Sequence, residues 1–356
     1  MSEFAFPVFD GHNDTLLRLA MQAGTPREIS FFEEAKTGHI DLPRAKRAGF
    51  AGGFFAMFSP SVVNRSNKAH DYSDPAHFAQ IGPDQALPFT LNMMRRAFDL
   101  EKNSNGEVII ARKASDIRTA IGQKKLSILL HIEGAECIDK DLNALHVLFA
   151  AGLRSIGPVW SRQTIFASGV PMGFPMSPDT GPGMTDVGIE LVKTCNALGV
   201  MLDMSHLNEK GFWDMHKHSD SPLVATHSNV HAICPSARNL TDKQLDAIAE
   251  TSGVVGINFH VGFLREDGKR DTNTSLDVML RHADYLLEKL GEDGVALGSD
   301  FDGCMVPDAI GDVTGVIPLL EHFKQAGYGD SLIRKIACDN WVNLLERTQA
   351  GKIASQ

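Results

Sequence analysis

A chain of 356 residues, 43% hydrophobic and 22% charged, has the make-up of one large soluble α/β domain with insertions, and it contains no run of about 18 apolar residues that could span a bilayer. Its net charge of −10 and the scatter of its Lys and Arg exclude a nucleic-acid footprint, which needs clustered cations, and point to a small-molecule partner. The five cysteines are odd in number, far apart and without a CxxC pair; this excludes a disulfide framework and a thiolate zinc site and leaves them as small buried side chains.

The chain opens with MSEFAFPVFDGHND. An acidic residue stands where a signal peptide carries positive charge, and no apolar h-region follows, so the expected compartment is the cytoplasm. From there, short apolar runs bounded by Gly, Pro or Asp alternate with longer segments of helical period. The predicted strands lie near residues 8–9, 53–58, 127–132, 155–159, 200–204, 223–226, 254–258 and 295–298. Helices are predicted over 186–198, 241–251 and 276–290, each opened by a capping-type residue or carrying Leu and Ile at spacings of three and four. Later helices around 330–335 and 340–347 read as packing elements, and the tail GKIASQ as frayed. Such alternation predicts a parallel sheet, and eight strand–helix units predict a (β/α)8 TIM barrel, a single domain over 1–356. A doubly wound open sheet would show a Gly-rich phosphate loop after an early strand, and DGHND offers none. Two stretches, 59–83 and the Gly/Pro/Met-rich 163–185, follow predicted strands and are expected as inserted substrate loops on the C-terminal face.

Potential metal ligands fall at the strand ends. His12 and Asp14 follow the first strand as H-x-D, and alternate side chains of an extended segment share a face, so both can reach one cation. Glu133 ends LLHIE, His206 ends LDMSH, His227 ends LVATH and Asp300 ends ALGSD. Any one of these has an ordinary structural explanation; six at the same end of five strands point to a shared cation site. Imidazole and carboxylate donors suit Zn2+, and Mn, Fe or Co fit the same set. Six ligands exceed what one catalytic zinc with an open position needs, so two ions are expected, with Glu133 placed to bridge them. Two such ions can share a bridging hydroxide at neutral pH and polarise a carbonyl, which permits amide hydrolysis without a Ser or Cys nucleophile. Asp300 is then the acid/base that takes the proton from water and passes it to the leaving amine.

The segments DGHNDTLLRL, LLHIEGAE, GVMLDMSHL, PLVATHSNVHAICPSARNLTD and GSDFDG run in this order over nearly the whole chain. As a set they resemble the membrane (renal) dipeptidase family of the amidohydrolase superfamily. The resemblance implies a binuclear zinc barrel: His12 and Asp14 on one ion, Glu133 bridging, His206 and His227 on the other, and Asp300 as acid/base. It also implies that Arg238, in PSARN, binds the substrate carboxylate, a task suited to the planar guanidinium fork. One departure stands out. Where members of the family commonly carry a histidine, in a run like TLTH, this chain reads IGPVWS and places Trp160. Indole donates a hydrogen bond but transfers no proton, so Trp160 reads as a substrate-facing pocket wall. His260, after the seventh predicted strand, is a further candidate substrate contact. His131 and His231 are weaker candidates, and Asp203 and Asp302 read as partners that orient the ligands.

The expected substrate is a dipeptide, and the family relation implies tolerance of a D-residue at its C-terminal position. Two other readings stay open. One is hydrolysis of another small amide, such as an N-acyl amino acid; the other is a metal-binding protein of the same fold without turnover, for which Trp160 gives footing and against which Asp300 stands. A homodimer is expected because symmetric dimers are common and because the family resemblance implies one.

Overall fold

The computed structural model describes residues 6–61 and 75–352. Its strands are β1 (Val8–Asn13), β2 (Phe50–Phe58), β3 (Val108–Ile110), β4 (Leu126–Glu133), β5 (Leu153–Gly157), β6 (Met201–Leu202), β7 (Val224–Ala225), β8 (Val254–Asn258) and β9 (Val295–Gly298). All ladders are parallel, in two arcs ordered β1-β2-β4-β5-β6 and β7-β8-β9. Short bridges join the arcs at both seams. Asp203 pairs with Val224, where Met204 N–H donates to the Val224 carbonyl at 2.8 Å. Asn13 pairs with Phe301, where Asp14 N–H donates to the Phe301 carbonyl at 2.7 Å and Asp300 N–H to the His12 carbonyl at 2.9 Å. The eight predicted strands therefore close into the predicted barrel. β3 is the strand the apolar runs did not reveal: three residues long, it pairs with Leu126–Ile128 on the edge of β4 that β5 takes from Leu130 onward.

Local signals explain the helices. Thr185 caps the helix Asp186–Leu198 by accepting from Gly188 N–H, and Gly199 ends it at φ 71°. Thr241 and Gln244 form a capping box on Asp242–Glu250, and Ser275 caps Leu276–Leu290. Among the described residues no helix is long and apolar enough to cross a membrane. All five cysteines are free; four are buried, as expected, and Cys304 is half-buried beside the pocket described below.

Strand alternation sorts the core into two layers. On β4, Ile128, Leu130 and Ile132 pack outward under the helices, whereas Leu129 joins Phe9, Phe54, Met201, Val224, Val254 and Ala296 from the other strands inside the barrel. Trp341, from the helix Asn340–Gln349, completes this inner layer. It is fully buried, donates from Nε1 to the Leu297 carbonyl at 2.8 Å and meets Phe54 edge-on at 5.3 Å. Gly11 and Gly256 make room for it, since a Cβ on either would come within 2.6 or 3.0 Å of the indole. The late helices thus plug the N-terminal end of the barrel, and only its C-terminal end is left for chemistry.

Candidate metal centre

His131 and Glu133 continue the inward series of Leu129, two residues at a time, and so carry the barrel interior from apolar to polar. β1 reaches the same level by a bulge: Asp10 pairs with Gly53 and Asn13 with Phe55, so three residues of β1 advance against two of β2. The extra residue changes the phase of the strand. Gly11 faces the interior against Trp341, and His12 does too, its ring 3.9 Å from that of His227.

The predicted ligands converge in two groups that share a neighbour. His12, Asp14 and Asp300 offer donor atoms within 4.8 Å of one another, as do Glu133, His206 and His227. Glu133 spans the two: Oε1 lies 2.9 Å from His206 Nε2 and 3.5 Å from His227 Nε2, while Oε2 lies 3.8 Å from His12 Nε2. His12 Nε2 is also 3.5 Å from Asp14 Oδ2.

The imidazoles are held from behind. Asp203 accepts from Ser205 N–H at 3.0 Å, Ser205 Oγ at 2.6 Å and Thr226 N–H at 2.9 Å on one oxygen, and from Thr226 Oγ1 at 2.5 Å on the other. The one hydroxyl proton of Thr226 is committed to that carboxylate, so the 2.8 Å contact with His227 Nδ1 requires the ring to donate there. His227 Nε2 is then left with its lone pair facing the centre, the tautomer a metal ligand needs. Ser161 Oγ holds His206 Nδ1 at 3.0 Å. Asp203 is therefore the orienting partner expected. His131 belongs to the same layer behind the ligands, 2.8 Å from Ser155 Oγ and 3.6 Å from Asp203, and burial pushes it down to about 3.

Asp300 stands on a left-handed turn. Its φ is 58° and that of Asp302 is 67°, values that L-residues adopt at a cost of order 1 kcal/mol. The turn is clamped by Asp302, which accepts from Arg18 Nε at 2.9 Å, Thr15 Oγ1 at 3.1 Å and His39 N–H at 2.7 Å. Asp302 thus braces the Asp300 turn and does not touch an imidazole ligand. Asn258, at the end of β8, donates to Asp300 Oδ2 at 3.0 Å. Gly303 has to be glycine here: a Cβ would lie 2.0 Å from Asp14 Oδ2 and 2.5 Å from Asp300 Oδ1.

The electrostatics ask for added positive charge. Burial opposes a proton on His12, yet Glu133, Asp14 and Asp300 around it raise it to about 10. Burial also lifts Glu133 well above the usual carboxylate range and Asp300 to about 6. His206 and His227 are held well below the usual imidazole range, by burial first and then by Arg238 and His12. Carboxylates that draw protons into a buried site, beside neutral imidazoles with no donor between them, match the needs of a divalent cation. His12 Nε2 and Asp14 Oδ1 make the same point, being buried without a hydrogen-bond partner. The donor set fits a metal.

Above the ligands lies a cavity of about 280 Å³ that also admits Phe58, Trp160, Arg238, His260 and Phe263. Trp160 is a wall residue, stacked on Phe78 at 5.6 Å and 9° and tilted against Phe58 at 5.0 Å. Arg238 is almost fully buried: Nη1 donates to the Ser205 carbonyl and Nη2 to the His227 carbonyl at 3.2 Å, fixing the guanidinium plane beside the two imidazole-bearing strands. His260 contacts the Met305 carbonyl at 3.3 Å and Phe263 edge-on at 4.6 Å. His231 is not in the pocket; its Nε2 meets the Met176 carbonyl at 3.1 Å and ties down the 163–185 loop, which delivers Met172 to the cavity. Of the 59–83 loop, residues 62–74 lie outside the described residues, while Pro60 lines the cavity. Sequence reasoning missed Ser161, Thr226 and Asn258 as orienting groups, although each sits at or just beyond a strand end, the one signal available. It also missed the fully buried ion pair of Arg162 and Glu136, 2.5 Å apart, whose guanidinium underlies Phe58 and Trp160 at 5.2 and 5.6 Å.

A parallel barrel with His and carboxylate ligands at its C-terminal mouth defines the class of metal-dependent amidohydrolase folds. Residues 3–356 match the membrane dipeptidase family, peptidase family M19, and the chain belongs to that family. Two solved structures agree closely. A metallo peptidase from Rhodobacter sphaeroides, liganded with a phosphinate mimic of the dipeptide L-Ala-D-Ala, is 47% identical, with a TM-score of 0.89 over 96% of this chain and 99% of its own. Dipeptidase AC, also a metallo peptidase, is 47% identical with a TM-score of 0.87 over 96% and 98%. A Klebsiella pneumoniae protein known only by its place in the pqqA 5′ region is 50% identical over 244 residues, 68% of this chain and 90% of its own. Family and neighbours together support metal-dependent hydrolysis of dipeptides.

Proposed function

We propose that this chain is a single barrel unit that hydrolyses dipeptides with two divalent cations, zinc by donor preference. Glu133 carries the reading, because one carboxylate reaches both ligand sets, His12/Asp14 and His206/His227. The bound cations supply a water acidified to near neutral pH and Lewis-acid polarisation of the scissile carbonyl.

The chain's own residues do the rest. Asp300, oriented by Asn258 and set against Asp14, takes the proton from the attacking water and returns it to the leaving amine. Arg238, its plane already fixed by two backbone carbonyls, forks onto the substrate's C-terminal carboxylate with little further loss of side-chain freedom. Trp160 and Phe58 wall the cavity and keep water from the scissile bond, and His260 contacts substrate from the opposite chain segment. The mimic held by the Rhodobacter relative favours acceptance of a D-residue at the C-terminal position here as well. A cytoplasmic homodimer is the expected setting.

The test is release of free amino acid from L-Xaa-L-Xaa and L-Xaa-D-Xaa dipeptides and their N-acetylated forms, with zinc-loaded and chelator-stripped protein. Metal-dependent cleavage of the free-amino dipeptides is the expected outcome. Cleavage confined to acetylated compounds would assign the site to another small amide, and inertness of the loaded protein towards all of them would leave a binding protein.

A further inference from the structure

Behind the cavity wall lies an ion pair that the proposed chemistry does not use. The side chains of Arg162 and Glu136 are both fully buried, and Arg162 Nε donates to Glu136 Oε1 at 2.5 Å. Neither residue lines the cavity, but Arg162 reaches three pieces of its wall. Its guanidinium carbon lies 5.2 Å from the Phe58 ring and 5.6 Å from the Trp160 ring, and its Nη2 donates to the carbonyl of Ser59, the residue before Pro60. Its backbone N–H donates to the Trp160 carbonyl at 2.8 Å. Glu136 is fixed in turn by the segment that follows Glu133: Gly134 has a φ of 81°, and a Cβ there would lie 2.4 Å from Glu136 Oε2. One buried pair therefore ties the end of β2 and the segment after β5 to the turn that leaves β4.

Stability is a poor explanation for such a pair. Removing two charges from water costs about as much as their attraction returns, and apolar side chains of the same volume commonly serve as well. Here the cost is raised further, because Glu136 Oε2 and Arg162 Nη1 are buried with no hydrogen-bond partner among the described residues. What the pair provides is placement. A planar guanidinium can donate to a carboxylate and to a carbonyl at once while lying within cation–π reach of two rings; an ammonium has no such fork, and an apolar side chain donates nothing.

We propose that Arg162, anchored by Glu136, is the positioning residue of the Phe58–Trp160 wall: it holds both rings and the Ser59–Pro60 step where a dipeptide packs, and so sets substrate affinity and not the chemical step. The choice of ligand rests on the dipeptidase reading. A wall displaced by about 1 Å is enough to cost tenfold or more in fit.

The experiment compares the zinc-loaded wild type with the apolar double variant E136M/R162M and with R162K, which keeps the charge and loses the fork. Measured are the urea midpoint, kcat and KM for L-Ala-D-Ala per bound zinc, and the affinity for its phosphinate mimic. The expected result for the double variant is a urea midpoint equal to or above that of wild type, a KM raised about tenfold with kcat little changed, and a mimic affinity weakened by the same factor. R162K moves KM and mimic affinity in the same direction, and it decides the matter if the double variant does not fold. A pair that is only structural gives the reverse, a lowered midpoint with KM and mimic affinity unchanged, and overturns the proposal. If the wild type neither cleaves the dipeptide nor binds the mimic, the dipeptidase reading falls. The positioning role is then decided by the Trp160 contribution to near-UV circular dichroism, read as the difference made by W160F in the wild-type and R162K backgrounds. An altered Trp160 signal in R162K upholds it, and an identical one overturns it.

Discussion

The two ends of the barrel interior are built from the same strands and serve opposite purposes. At the N-terminal end Phe9, Phe54, Leu129 and Val254 close around Trp341 in an apolar layer; further along two of these strands, β1 and β4, stand His12, His131 and Glu133. On β4 the change takes two residues, from Leu129 to His131. The lower layer is stabilised by burial and close packing. The upper layer is tolerated in spite of burial because the groups behind it are hydrogen-bonded and, under the proposed function, its donor atoms would hold a cation. Stability and chemistry are thus divided by position along a strand, not by segment of the chain.

The division can be broken from either end. Stripping the metal with a chelator acts on the upper layer alone: turnover of dipeptides is lost entirely and returns on adding Zn2+, while far-UV circular dichroism is unchanged. D300N lowers kcat, measured per bound metal, by about 10²–10⁴-fold, the range typical for loss of a general acid/base. The complementary change is W341A. It removes the plug of the lower layer and lowers stability in urea by about 3–5 kcal/mol, with kcat per folded molecule and bound zinc unaffected. Coupled loss of zinc in W341A at 25 °C would show that the layers are not separable.

A buried histidine away from both layers sharpens the contrast with pH. His282 accepts from Val230 N–H at 3.2 Å and donates to the Leu264 carbonyl at 2.9 Å, and burial holds it down at about 4. The unfolded chain binds this proton below pH 6.5 and the folded one refuses it until about pH 4. Stability is therefore present above 6.5 and lost as pH falls through that window, by roughly 3 kcal/mol at most. Urea titrations of wild type and H282Q should show a stability difference at pH 7 that narrows by pH 4.5. The smallest effect is expected from T226V, which cuts the relay from Asp203 to His227: metal affinity falls by about 10–100-fold in competition with a chromophoric chelator, with the fold unchanged.

Much of this was legible without coordinates, because strand period and strand-end position are local properties. Asp14, Glu133, His206, His227 and Asp300 each end a recognisable apolar run, and the H-x-D spacing signals a shared face. What escaped was non-local. β3 is too short for a periodic signal, and the bulge that rephases His12 is visible only against β2. Asp302 looks from sequence like a partner of the metal ligands, yet its contacts come from Arg18, Thr15 and His39, more than 260 positions away in the chain.

By itself the sequence determined the barrel, the end at which its chemistry lies and the donor types gathered there, since hydrophobic period and residue chemistry are written one residue at a time. Only the tertiary structure decided that Glu133 reaches both ligand sets, that His227 must present Nε2, and that Trp341 stoppers the far end. Each of these is a distance between segments remote in sequence, set by barrel closure and packing, and no local pattern encodes it.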